Sequence, residues 1–118
     1  MAAVARVIDQ PALGVVIDTE HLSRMTLGEL SLQREVLALF DRQADILLPR
    51  IRQGAPAMAA ASAHTLKGSA VGIGAFKVAR AVEQVEQARD AQIGAAVDML
   101  AAVLKEAKAE IARLLQAA

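Results

Sequence analysis

The chain contains no cysteine, tryptophan or tyrosine, and only three prolines. Without cysteine there is neither a disulfide nor a thiolate to act as nucleophile or metal ligand. Phe40 and Phe76 are the only aromatic residues, so a core has to be filled by Ala, Val, Leu, Ile and Met. That favours close helix packing over a sheet, which usually draws on β-branched and aromatic side chains. An excess of one charge is also missing, because 13 basic residues balance 13 acidic ones. Proteins that grip nucleic acid through phosphates show a basic surplus or a stacking set of aromatics, so no nucleic-acid partner is expected. A long apolar run is absent too. The N-terminal MAAVARVIDQPALGVV is interrupted by Arg6, Asp9 and Pro11 before a signal-peptide core or membrane span is complete. No membrane association is expected, and a cytoplasmic protein is.

What is present is a chain of 118 residues, 55% of them hydrophobic, a length that suits one domain with one core. Residues 1–17 show no steady period and contain Pro11 and Gly14, so they read as an N-terminal arm preceding a domain over 18–118. Asp18 or Thr19 can cap a short helix carrying Leu22 and Met25 and ending near Gly28. From about Glu29 to Arg52, Leu32, Val36, Phe40, Ala44, Leu47 and Ile51 recur at steps of three and four, predicting a long amphipathic helix bent at Pro49. Leu39 and Ile46 lie about 100° off that stripe. They either widen the core face, meet the short helix, or form an apolar docking patch.

Pro56 suits the first turn of a third helix, running to about Gly72 with Met58 or Ala59, Ser62, Leu66, Ala70 and Ile73 inward. Gly72 and Gly74 can supply the positive φ that closes it. A fourth helix is predicted over Ala75 to Arg89 with Val78, Val82 and Val85 inward. Asp90 can cap a fifth, in which Ile93, Val97, Leu100, Leu104, Ala107, Ile111 and Leu114 keep the period. The fold class expected is all-α: an antiparallel four-helix bundle with a short additional N-terminal helix.

The stretch AHTLKGSAVGIGA, residues 63–75, stands out because it sets a histidine, a lysine and three glycines into an alanine-rich helix. Successive helical residues turn by about 100°, so His64 lies about 160° from Leu66 and faces water if Leu66 faces the core. Its neighbours at three and four residues are Ala60, Ala61, Lys67 and Gly68. Three are small and the fourth brings an ammonium alongside, an arrangement suited to a reaction partner carrying negative charge, with phosphate the obvious candidate. Gly68 lowers helix propensity by about 1 kcal/mol relative to Ala, which implies a close approach by another backbone or side chain, either within the bundle or from a partner. His21 has no comparable context and reads as a surface or capping residue.

Other chemistries fit less well. There is no HExxH pair, so a metal would need ligands from His21 or scattered carboxylates. GSAVGIG neither follows a strand nor forms GxxxxGK[ST], and no elbow motif surrounds Ser69.

His64-Thr65-Leu66-Lys67-Gly68-Ser69-Ala70, then Ile73-Gly74-Ala75, Val78, Val82, Val85 and Glu86, resemble the histidine-containing phosphotransfer (HPt) domain, whose pattern is roughly HxLKG[SA][SA]xxxGAxxLxxxCxxLE. Gly72, Phe76 and Val82 stand where that family often has polar residues or cysteine. The resemblance implies that His64 accepts a phosphoryl group from the aspartyl phosphate of one receiver domain and passes it to another. Lys67 would stabilise the phosphate charge and Gly68 would give the partner access. It also implies a phosphocarrier rather than an enzyme, with no cofactor or metal of its own and Mg²⁺ on the receiver. The expected partners are response regulator receiver domains or a hybrid histidine kinase, met by a monomer. The alternatives are a non-catalytic adaptor bundle and a sensor-kinase dimerisation domain, although the latter usually has an acidic residue where Thr65 stands.

Overall fold

The computed structural model describes residues 14–117, and every regular element among them is helical. In chain order these are α1 (Thr19–Met25), α2 (Leu30–Gln53), α3 (Pro56–Ile73), α4 (Phe76–Gln87) and α5 (Gln92–Gln116). Each of the four longer helices packs against the next and α5 returns to α2, closing a ring of four, while α1 lies on α3. Short connections at Gly54–Ala55 and Gly74–Ala75 make neighbours antiparallel. The all-α expectation of a four-helix bundle with a short extra helix therefore holds. Residues 1–13 of the arm lie outside the described residues. Ile17, at its end, is buried in the core.

The Asp18 carboxylate caps α1 by accepting from the His21 N–H at 3.0 Å, so of the two expected caps Asp18 is the one used. The helix α2 continues through Pro49 to Gln53, and Pro56 opens α3 within its first turn. Asp90 does not cap α5. It has φ +52° in the turn before that helix, whose N-cap is Ala91, and such a conformation is one that Asp tolerates.

The core is aliphatic apart from Phe40 and runs through Leu37, Leu47, Leu66, Val82, Leu100, Leu104 and Ile111. Several expectations about inward positions change. Leu32 and Val36 are half-buried and Leu37 takes their place. A step of four residues advances the helix by about 400°, so Leu32 has drifted about 80° from Phe40 while Leu37 lies about 60° to the other side. Of Met58 and Ala59, Ala59 is the half-buried one while Met58 is exposed, and Ile93, in the first turn of α5, is exposed as well. Val85 and Leu114 are half-buried against the core.

Candidate functional site

The phase of α3 determines what it presents. Ser62, Ala63, Leu66, Ala70 and Ile73 are buried, and Leu66 is completely so. His64 is exposed on the opposite side, as the angle between the two positions requires. The neighbours on its face, Ala60, Ala61, Gly68 and Val71, are exposed as well. Among the described residues nothing hydrogen-bonds the His64 imidazole, which stands above a lawn of small side chains.

The three glycines of residues 63–75 separate by geometry. A Cβ built on Gly68 meets nothing within 4 Å among the described residues, so close packing inside the bundle does not account for a glycine there. Gly72 has equally open surroundings and lies within the helix, which runs one residue past it. Gly74 alone ends α3: its φ is +81°, and its N–H bonds the Val71 carbonyl at 3.1 Å while that of Ala75 bonds the Ala70 carbonyl at 2.8 Å. A Cβ on Gly74 would lie 2.6 Å from the Asp18 carbonyl oxygen. The same contact carries a hydrogen bond from the Asp18 N–H to the Gly74 carbonyl at 2.9 Å. Gly74 thus ties the start of α1 to the end of the histidine helix.

Lys67 shares the His64 face at three residues' distance but sits on its flank toward α4. Its Nζ donates to Glu86 Oε1 at 3.2 Å and lies 3.8 Å from Glu83 Oε2. Helical spacing alone puts an ammonium beside the imidazole, but the carboxylates that hold it belong to a different helix. The signal that could have revealed them is the i, i+3 pair of acidic residues on the next helix.

On the other flank α1, α2 and α3 enclose an apolar groove of about 310 Å³, lined by Met25, Val36, Leu39, Gln43, Ser69 and Gly72 among others. Leu39 and Ile46, 46% and 53% exposed, do not widen the core. Leu39 borders this groove with Met25 of the short helix. Ile46 and His64 are each roughly nine residues from the Gly54–Ala55 turn, so equal rise along antiparallel helices puts them at the same height. His21 is half-buried; its ring meets Phe76 edge-on with centroids 5.0 Å apart. Its backbone N–H, rather than its side chain, takes part in the α1 cap.

The site is thus an exposed histidine on the second helix of a four-helix ring, followed by Thr65-Leu66-Lys67-Gly68. The model of the Hpt domain matches residues 23–117. The chain belongs to the Hpt family. Hpt domains are histidine phosphotransfer modules of phosphorelays, carriers rather than catalysts, that meet receiver domains or kinases. The Hpt match extends the likeness from the segment around His64 to all of α2 through α5. No curated protein and no solved structure matches the chain. Among the described residues, no helix is long and apolar enough to cross a membrane.

Proposed function

We propose that this Hpt domain is the phosphocarrier of a multistep relay, with His64 as phosphoacceptor. It takes a phosphoryl group from the aspartyl phosphate of one receiver domain and gives it to the aspartate of another response regulator. The observation that carries the reading is the exposure of His64 on the outward face of α3, cleared by Ala60, Ala61 and Gly68. An unencumbered imidazole can approach phosphorus in line, and phosphoryl transfer depends largely on positioning and charge neutralisation.

In the forward step a lone pair of an imidazole ring nitrogen bonds phosphorus as the P–O bond to the receiver's aspartate breaks. The aspartate carboxylate leaves with the electron pair, and the proton on the other ring nitrogen can pass to solvent. Lys67 offsets negative charge on the transferred group, and Gly68 leaves room for the receiver's backbone. The chain brings no cofactor; Mg²⁺ belongs to the receiver. The exposed apolar side chains Val71, Leu39 and Ile46 form the surface on which the receiver rests. The carrier acts as a cytoplasmic monomer. One chain closes its own ring of four helices, so a second copy is not needed to complete the bundle, as it is in a sensor-kinase dimerisation domain.

The test is incubation with a phosphorylated receiver. Acid-labile label should appear on the chain and disappear in His64→Gln, whose helicity is unchanged because the side chain is exposed. Label that survives the substitution refutes His64 as acceptor. Failure of every receiver to label the chain, with a partner complex that tolerates His64→Ala, establishes the adaptor instead.

A further inference from the structure

Two lysines of this bundle each face two carboxylates, and the two sets differ in tightness. Lys108 lies 2.6 Å from Asp41 and 3.0 Å from Asp45, and it also donates to the Asp41 carbonyl at 3.0 Å. That set joins α5 to α2 and no chemistry is near it. Lys67 lies 3.2 Å from Glu86 and 3.8 Å from Glu83, on the flank of the His64 face. Its contacts are longer, and all three side chains remain partly exposed. A loose set can exchange partners; a tight one resists.

We propose that Glu83 and Glu86 are positioning residues that hold Lys67 at rest and compete for its ammonium with the phosphoryl group on His64, thereby setting how far the histidine charges. The inference rests on His64 being the phosphoacceptor. One ammonium between two carboxylates leaves a surplus negative charge on this flank. A phosphoryl group adds close to two more near neutral pH. Lys67 is three residues from His64 on the same face, so its flexible four-carbon stem can turn from α4 to the phosphate. Each phosphorylation event then breaks the contact with Glu86, and each dephosphorylation restores it. The carboxylates thus keep the phosphorylated state from becoming too stable to pass its group onward.

Phosphoramidate supplies a receiver-independent test. An imidazole nitrogen of His64 bonds phosphorus, the P–N bond of the reagent breaks and ammonia leaves. Hydrolysis later returns inorganic phosphate and free imidazole. The steady-state ratio of phosphorylated to free chain at fixed phosphoramidate is read by phosphorus NMR. Exposed ion pairs of this kind shift an equilibrium by about 1.4- to 5-fold. The double substitution Glu83→Gln with Glu86→Gln should raise the ratio about two- to fivefold, and Glu86→Asp should keep it near the starting value. In a Lys67→Ala background the same double substitution should change nothing. An unchanged ratio with Lys67 present, or an equal rise without Lys67, overturns the proposal while leaving the phosphoacceptor intact. Absence of any phosphohistidine at His64 overturns both.

Discussion

Gly68→Ala separates stability from function at a single methyl group. The residue lies inside α3 with helical backbone, and a Cβ there meets nothing within 4 Å among the described residues. Glycine in an exposed helix interior costs about 1 kcal/mol relative to alanine, so the substitution should stabilise the free protein by up to about 1 kcal/mol. For a domain of this size that is a rise of about 4 °C in Tm, measurable by circular dichroism on heating or in urea. Phosphotransfer should move the other way. A methyl forced into a close contact costs about 1–3 kcal/mol, so kcat/KM for transfer from a receiver falls about five- to 150-fold if the receiver approaches over residue 68. Gly68→Gln should deepen the loss while keeping most of the helical gain. Because the described residues offer nothing for the methyl to strike, a loss of transfer in a more stable protein points to the partner. A destabilised Gly68→Ala variant would refute the open surroundings of the position, and unchanged transfer kinetics would refute the role of Gly68 in access.

Gly74→Ala should do the opposite, destabilising the fold. Left-handed φ costs a non-glycine residue about 1–2 kcal/mol, and relieving the 2.6 Å approach to Asp18 sacrifices a backbone hydrogen bond worth about 1 kcal/mol. A loss of about 2–3 kcal/mol in urea unfolding is expected, and no loss would refute the glycine's role as the tie between α1 and α3. Lys67→Ala should reduce the steady-state phosphorylation of His64 by about two- to fivefold without altering the helical spectrum, and equal phosphorylation would show that its charge is not used. The Lys108 clamp makes stability sensitive to alkali. Partial burial lowers the Lys108 pKa, but hydrogen bonds from its ammonium to Asp41 and Asp45, and the charges of those carboxylates, outweigh it and raise the pKa above the usual lysine value. With the folded pKa above the unfolded one, this contribution is complete below about pH 10.4 and declines as pH rises through the folded pKa. Unfolding free energies of the wild type and Lys108→Met should therefore converge above that pH, and a constant gap would refute the linkage.

Helix number, order and phase were legible in the sequence because an aliphatic core leaves its period in the chain. Leu66, Ala70 and Ile73 fix which way α3 faces, and from them the exposure of His64 follows by angle alone. Where a helix stops was less legible. Gly72 and Gly74 are equally able to adopt positive φ, and the choice of Gly74 depends on Asp18, which is distant in sequence and reaches it only in the folded chain. Asp90 has the chemistry of a cap, yet the turn uses its tolerance of a left-handed backbone instead. Leu37 displaced Leu32 and Val36 because a stripe read in steps of four drifts around the helix.

Lys67 was the residue most incompletely read, for a physical reason. It is separated from His64 by about 300° of helical rotation, equivalent to about 60° on the other side, so it stands at the margin between the outward face and the α4 flank. Periodicity within one helix places a side chain at that margin but says nothing about what the adjacent helix sets against it. The bundle sets Glu83 and Glu86 there. A lysine at a margin with a flexible stem has two environments within reach, one made by its own helix and one by its neighbour. On the proposed role of His64 as phosphoacceptor, its occupancy is expected to decide which of the two holds the ammonium.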